Sequence, residues 1–429
     1  MEIKISYGQG DEILEIPRDN IAGIIRPKQL DTGSGGSEKA LKAALNCRGA
    51  TEFVRSVAGK RLCVLLDDGT RDEPYEDIFK VLFGFFTGAS SVDFIICTGT
   101  HNSDTPGNAR ISELARQVCE KFKISDFSIN IHDCRSSKLV LGPVTKLGTR
   151  VEYNALADEA NIFLVVSDAK VHYFSGYSNP VKNFVPGICS FDTVEKNHSL
   201  ALDEKSTFGL HPWHNDPGRR DNPVAVDQLE GAEFIVRDRL VYSLITVTAS
   251  AMVQWAVFDL AKNACAQAFD WIDQANTHTV EPVDRLIVSP GHFPNDCSLY
   301  NAQRALELTK NAINDDGEIL FVSQCSQGVG EDHTLENFYH RLTLPTDEIL
   351  DSIEQNYKLF SHKPYKFAQL IKRTHKIFVY TSLDDDTVRS AHMHPVDNPQ
   401  LVIDRWLDEK PDCSIMVIDG ANKIALYRK

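Results

Sequence analysis

The stretch Arg61–Gly69, "RLCVLLDDG", decides the fold. A short apolar run stops abruptly at two aspartates and a glycine. A run of this length, bounded by turn residues, suits a strand buried on both faces. The pattern recurs along the chain: "VDFIICTGT" at 92–100, "FSINIHD" at 127–133 and "NIFLVVSD" at 161–168 are apolar and then turn polar. Helical patterns fall between them at 74–88 and 109–121. Strands alternating with helices predict a parallel, doubly wound α/β sheet.

Outward from this block, "EIKISYG" and "EILEIP" alternate at the start and predict a hairpin. Residues 27–36, "PKQLDTGSGG", form a polar linker, and a helix is expected around 37–56. The segment 199–235 is irregular. A helical pattern is expected from about 247 to 275, "VTASAMVQWAVFDLAKNACAQAFDWIDQA", bridging two domains. Strand–helix alternation then restarts with "DRLIVSPG" (284–291), "NAQRALELTKNAI" (301–313), "GEILFVSQC" (317–325), "YKFAQLIKRTH" (365–375), "KIFVYTS" (376–382) and "SIMVIDG" (414–420). A chain of 429 residues exceeds the roughly 250–300 at which single cores stop growing. The reading is two α/β domains with mainly parallel sheets, 1–275 and 276–429, joined by a helical linker, with the active site in the interdomain cleft. The last strand, "KIALYRK", is left open to return to the first domain. There is no internal repeat and no low-complexity segment.

Composition narrows the function. The chain is 42% hydrophobic and 24% charged, with a net charge of −15. That balance argues against nucleic acid and anionic membrane surfaces, whose phosphates favour a basic face. No apolar run reaches about 18 residues and no leader pattern opens the chain, so a cytoplasmic protein is expected. Ten cysteines, none in C-x-x-C and several inside apolar runs, read as reduced, buried thiols.

In open α/β sheets ligands bind outside the carboxyl ends of the strands. Three loops there carry chemistry. "DDGTRDEP" offers Asp67 and Asp68, then Gly69, Thr70 and Arg71, a turn suited to a polar or anionic group. "TGTHN" projects His101 from the next strand end. The third, "DAKVHYFSGYSNPVKNFVPGICSFDTVEKNH" (168–198), holds His172, Lys182 and His198. Imidazole exchanges protons near neutral pH and ligates borderline metals; a lysine amine can be a covalent attachment point. Each residue alone reads more simply as a cap or a solvated side chain; three such loops at one edge weaken that reading. In "HPWHN", His211 and His214 are a weak metal signal, and "SQGVGED" lacks the G-x-G-x-x-G spacing of a dinucleotide site.

Taken in order, "YGQG…EIP", "DDGTR", "TGTH", "HYFSGYS…K…PGI…NH", "GRRDNPV", "DCSLYNAQRAL", "DGEILFVSQCSQGVG" and "SHKPYKFAQLIKRTHKIFVYT" resemble the lactate racemases that use a nickel-pincer nucleotide. The resemblance covers most of the chain and implies a 2-hydroxy acid racemase or epimerase. It implies a pyridinium-3-thioamide-5-thiocarboxylic acid mononucleotide carrying nickel, attached at Lys182, with His198 on the metal. His101 and His172 match the acid–base pair. Asp68, Thr70 and Arg71 border cofactor and substrate, and Tyr300, Asn301 and Arg304 face the substrate. Small-molecule hydroxy acids and cofactor-synthesis enzymes are the implied partners. The family commonly has Gly-Gly-Arg before the lysine; here the residues are Asn179, Pro180 and Val181. Asn301 and Arg304 stand where it often has Gln and Lys, so a hydroxy acid larger or more polar than lactate is expected. The other readings are a sugar-acid epimerase or redox enzyme with the same cofactor, and a non-catalytic carrier of the nucleotide or an organic acid.

Overall fold

The computed structural model describes residues 1–28, 36–71, 73–249 and 251–429. The chain packs as two compact units, Leu30–Asp273 and a second made of Met1–Gln29 with Gln274–Lys429.

In the first unit, Leu62 to Leu66 are fully buried, as an apolar run without alternation requires. Six strands lie in the order Met252–Leu260, Val241–Ala249, Ile162–Asp168, Arg61–Asp67, Ser91–Cys97, Phe127–Ile131. The last five are mutually parallel, and Met252–Leu260 runs antiparallel at the edge. Alternate residues of one face, Leu62, Val64, Leu66, Phe94, Ile96, Leu164 and Val166, pack under Phe53, Phe79, Phe83 and Phe86. Each such side chain taken from water contributes about 1.5–3 kcal/mol. After Arg61–Asp67 the chain builds outward to Ser91–Cys97 and Phe127–Ile131, then crosses to the other side with Ile162–Asp168. The strand order therefore reverses between Arg61–Asp67 and Ile162–Asp168. Both of these strands end in aspartate.

The helix expected over 247–275 is corrected. Val241–Ala249 and Met252–Leu260 are paired strands, and the helix is Ala261–Asn276; residue 250 lies outside the described residues. Val247 faces Trp255 and Ile245 faces Val257 across the pair. Cross-strand aromatic and β-branched pairs outweighed the helical preference of the scattered alanines. The helix expected over 37–56 is two, Gly36–Leu45 and Arg48–Val57, with Cys47 Sγ accepting the Ala50 N–H at the second start. Linker residues 29–35 lie outside the described residues.

In the second unit a six-stranded parallel sheet runs His394–Pro395, Lys376–Tyr380, Ile313–Val322, Val283–Ser289, Ile415–Asp419, Ile21–Ile25. Ile21–Ile25 pairs with Ile415–Asp419, so the amino-terminal residues pack here rather than with residues 30–273. The opening hairpin, Glu2–Tyr7 with Gly10–Glu15, lays Ile3, Ile5 and Leu14 on Ile287, Leu320 and Trp406. Ala425–Arg428 pairs with Thr277–Val280 in this same unit. All ten cysteines are free thiols. No helix among the described residues is long and apolar enough to cross a membrane.

Candidate active site

The turn after Arg61–Asp67 closes on itself: the Arg71 N–H donates to the Asp68 carbonyl at 3.1 Å. Gly69 is required there by close approach. A Cβ on Gly69 would lie 2.4 Å from the Gly107 carbonyl carbon, so only glycine lets the turn rest on the helix Pro106–Lys121. The Gly69 N–H donates to Asn108 Oδ1 at 2.8 Å, fixing the turn to the helix start.

Asp68, 2% exposed, aims Oδ2 at His101 Nδ1, 2.6 Å away. Its Oδ1 accepts from Thr70 Oγ1 at 2.6 Å, and Arg71 Nε lies 3.9 Å off. Burial alone would raise the Asp68 carboxyl. The charge and hydrogen bond of His101, with Arg71 and Thr70, override it and hold the group well below the carboxylate range. Burial likewise works against the Arg71 charge, and the surrounding carboxylates hold its guanidinium protonated. His101 reaches Asp68 because Gly99 takes a positive φ of 56° and donates its N–H to the Gly187 carbonyl at 3.0 Å.

The third loop makes a second cluster. His172 Nδ1 accepts from the Ser175 N–H at 3.3 Å and lies 3.0 Å from Ser175 Oγ. Lys182 Nζ donates to the same Oγ at 3.1 Å and stands 5.9 Å above the Phe174 ring. Phe174 also meets the His198 ring at 5.2 Å. Burial, then the nearby Lys182 charge, depresses His198 to about 3, so its imidazole is neutral. His101 also acts on it electrostatically, which ties the two clusters together. Gly176, at φ 78°, closes the loop where a Cβ would sit 1.9 Å from the Leu210 carbonyl oxygen.

In place of Gly-Gly-Arg, Asn179 is buried and its Oδ1 accepts the Val181 N–H at 2.9 Å, just ahead of the short helix Val181–Phe184, whose first flanking residue is Pro180. Lys182 thus sits in a short helical turn preceded by Pro180 and Val181. Asn183 ties that turn to the sheet, Nδ2 donating to Asp67 Oδ1 at 2.8 Å.

The structure thus brings together Asp68, Thr70, Arg71, His101, His172, Lys182 and His198 in one unit. Tyr300, Asn301 and Arg304 lie in the other, on the helix Leu299–Thr309. There Lys363 Nζ donates to the Tyr300 carbonyl at 2.6 Å and lies 4.2 Å over its ring. The weak metal signal at His211 and His214 does not assemble. His214 Nε2 pairs with Asp273 Oδ2 at 3.1 Å, its Nδ1 accepts the Asp216 N–H, and His211 Nδ1 accepts the Trp213 N–H. Sequence reasoning missed Ser175, which sat inside the quoted loop, and the buried carboxylates of Glu73 and Asp168. Lys363 was inside "SHKPYKF" without a role.

A doubly wound α/β unit with oriented imidazoles and a lysine at the point of strand reversal belongs to the class that acts on small polar molecules. Residues 7–209 match the family described as lactate racemase N-terminal domain, and residues 278–424 the lactate racemase C-terminal domain. The lactate racemase of Thermoanaerobacterium thermosaccharolyticum is 25% identical over 407 residues, covering 92% of this chain and 91% of the relative. That of Lactiplantibacillus plantarum is 22% identical over 404 residues, covering 91% of each. The lactate racemase apoprotein structure from T. thermosaccharolyticum shares the fold over 100% of both chains, with a TM-score of 0.83 at 20% identity. A Thermotoga maritima protein structure shares it with a TM-score of 0.63 at 14% identity, over 91% of this chain and 98% of that one. The chain belongs to the lactate racemase family and is an isomerase of the racemase type.

Proposed function

We propose that the protein inverts C2 of a 2-hydroxy acid, with a nickel-pincer nucleotide attached at Lys182 and ligated by His198. The observation that carries this reading is that the two candidate acid–base histidines each have Nδ1 fixed by a defined partner, Asp68 for His101 and Ser175 for His172. The Asp68 carboxylate can only accept, so His101 Nδ1 carries a proton, and in the neutral ring Nε2 is the basic nitrogen. The Ser175 backbone N–H can only donate, so His172 Nδ1 accepts and the neutral ring carries its proton on Nε2. Inversion through a 2-oxo acid requires a neutral imidazole that takes the hydroxyl proton and an imidazolium on the other face that returns one, and each ring has Nδ1 engaged by a fixed partner, with Nε2 the nitrogen proposed for that exchange.

The residues fit the group. A neutral imidazole is the form that binds a metal, and burial with the Lys182 charge keeps His198 in that form. Lys182 offers the amine, oriented by Ser175. When bound, the nucleotide supplies an acceptor for the hydrogen leaving C2 as hydride. His101 takes the hydroxyl proton, and Asp68 stabilises the imidazolium that results. His172, in its imidazolium form, would supply the proton when the ketone is reduced on its other face. Thr70 and Arg71 border the cofactor, and the planar Arg71 fork suits the substrate carboxylate. Tyr300, Asn301 and Arg304 are the further substrate contacts. Asn301 and Arg304, in place of Gln and Lys, change the size and hydrogen-bonding geometry of that wall while keeping its charge, which supports a hydroxy acid other than lactate.

Intact-protein mass spectrometry after co-expression with cofactor-synthesis enzymes tests this. The expected result is an adduct on Lys182, with racemisation lost in His101→Ala and His172→Ala. An adduct without turnover of any hydroxy acid would favour a carrier.

A further inference from the structure

Beside the catalytic residues, Asp67, Glu73 and Asp168 each offer a carboxylate oxygen, and these oxygens all lie within 4.8 Å of one another. Two come from the ends of the strands between which the order reverses, and one from the turn that follows. Glu73 is 8% exposed and Asp168 7%. Asp67 Oδ2 accepts the Asp168 N–H at 2.9 Å and Oδ1 accepts from Asn183, leaving lone pairs on both oxygens. Glu73 Oε1 has one long contact, Thr246 Oγ1 at 3.4 Å. Its Oε2 is buried with no hydrogen-bond partner among the described residues. An orphaned carboxylate oxygen beside two other carboxylates is costly unless a cation or a proton meets it.

Charge distinguishes the two. Asp67, Asp68, Glu73 and Asp168 all act on Arg71, and Lys170 pairs with Asp168. These four carboxylates against the two fixed cations, Arg71 and Lys170, leave an excess of two negative charges before His101 is counted. A proton removes one of them; a divalent ion removes both. The geometry points to a site for a hard divalent cation, of the magnesium, manganese or calcium class, held by Asp67, Glu73 and Asp168. All-oxygen ligation is what such ions take, and it differs from the imidazole and lysine chemistry at His198 and Lys182. Bound there, the ion would fix the base of the Asp68–Arg71 turn and, through Asp67–Asn183, the helical turn carrying Lys182. In its absence burial, then the charges of Asp168 and Asp67, push the Glu73 carboxyl well above its ordinary value.

The probe is Mn2+, titrated into nickel-free full-length protein and followed by electron paramagnetic resonance. The expected result is saturable uptake of one ion per chain, displaced by Mg2+ or Ca2+, lost in Glu73→Gln and retained in His198→Ala. Circular dichroism checks that Glu73→Gln is folded; Asp168→Asn serves if it is not. No saturable uptake, uptake unchanged in folded Glu73→Gln or Asp168→Asn, or loss in His198→Ala would each overturn the proposal. Retention in His198→Ala separates this site from the nickel reading, which can fail without it.

Discussion

Asp68→Asn tests the proposal that Asp68 makes His101 a base. The wild-type contact is 2.6 Å from a carboxylate that is 2% exposed to an imidazole that is 45% exposed. Hydrogen bonds to charged groups contribute about 1.5–3 kcal/mol. Solvent at the half-open imidazole screens the attraction and places this one near the lower end, about 1.5–2 kcal/mol. The interaction strengthens when His101 becomes imidazolium, so its loss falls on the transition state more than on binding. At about 1.36 kcal/mol per tenfold, kcat should drop roughly 10–30-fold. KM should change by no more than about threefold; a larger rise would report a displaced Arg71, whose Nε lies 3.9 Å from Asp68 Oδ1, rather than a lost base. His101→Ala removes the base itself and should cost about 10²–10⁴-fold. Initial rates on the cofactor-loaded enzyme, read by chiral chromatography from each enantiomer, separate the two parameters. A kcat within twofold of wild type in Asp68→Asn would refute the assignment of Asp68 as the residue that orients His101.

Ser175→Ala removes the hydroxyl shared by His172 and Lys182; kcat should fall and the yield of Lys182 adduct should drop, both readable on one preparation by rate assay and intact mass. Gly69→Ala forces a Cβ to within 2.4 Å of Gly107 backbone, and overpacking of that kind costs about 1–3 kcal/mol, so thermal melting should fall together with activity. His198 and His211 are both depressed to about 3, by burial first and then neighbouring cationic groups, from an ordinary 6.5. Their folded pKa values lie below the unfolded ones, so the unfolded chain binds more protons between those limits. Stability is full above about 6.5 and declines as pH falls towards 3; melting temperatures across that window should fall less steeply in His211→Asn. Burial, then Arg304, lowers Lys363 to about 7. Stability should therefore rise as pH climbs from there towards the ordinary lysine value near 10.5, and Lys363→Met should remove that part of the slope in the same melts.

The parallel strands were legible because Leu62–Leu66 and Ile162–Val166 are short continuous apolar runs closed by polar turn residues and repeated between helical patterns. Met252–Leu260 was not, because its neighbours are alanine-rich and its partner, Val241–Ala249, is a matter of tertiary pairing. The place of Ile21–Ile25 was hidden for the same reason: its partner lies almost the whole chain away, at Ile415–Asp419. In the site, Asp68, His101, His172 and Lys182 stood out through their strand-end positions and the family's order of motifs. What could not be read was how they are oriented. The tautomer of His172 rests on the Ser175 backbone N–H, and the orphaned oxygen of Glu73 exists only once Thr246 and Asp168 are brought beside it. Such features arise from turn geometry and sheet register, which no local pattern encodes.

The central claim is that the C2 hydrogen moves as hydride while the histidines move only the hydroxyl proton. Racemisation of a C2-deuterated hydroxy acid in ordinary water tests it most directly, with the isotope followed by mass spectrometry in both enantiomers. Retention of deuterium in the inverted product, with a slower rate than for the protiated acid, is the predicted result. Replacement of that deuterium by solvent hydrogen in the inverted product would mean that a histidine abstracts the C2 proton directly, and would contradict the account.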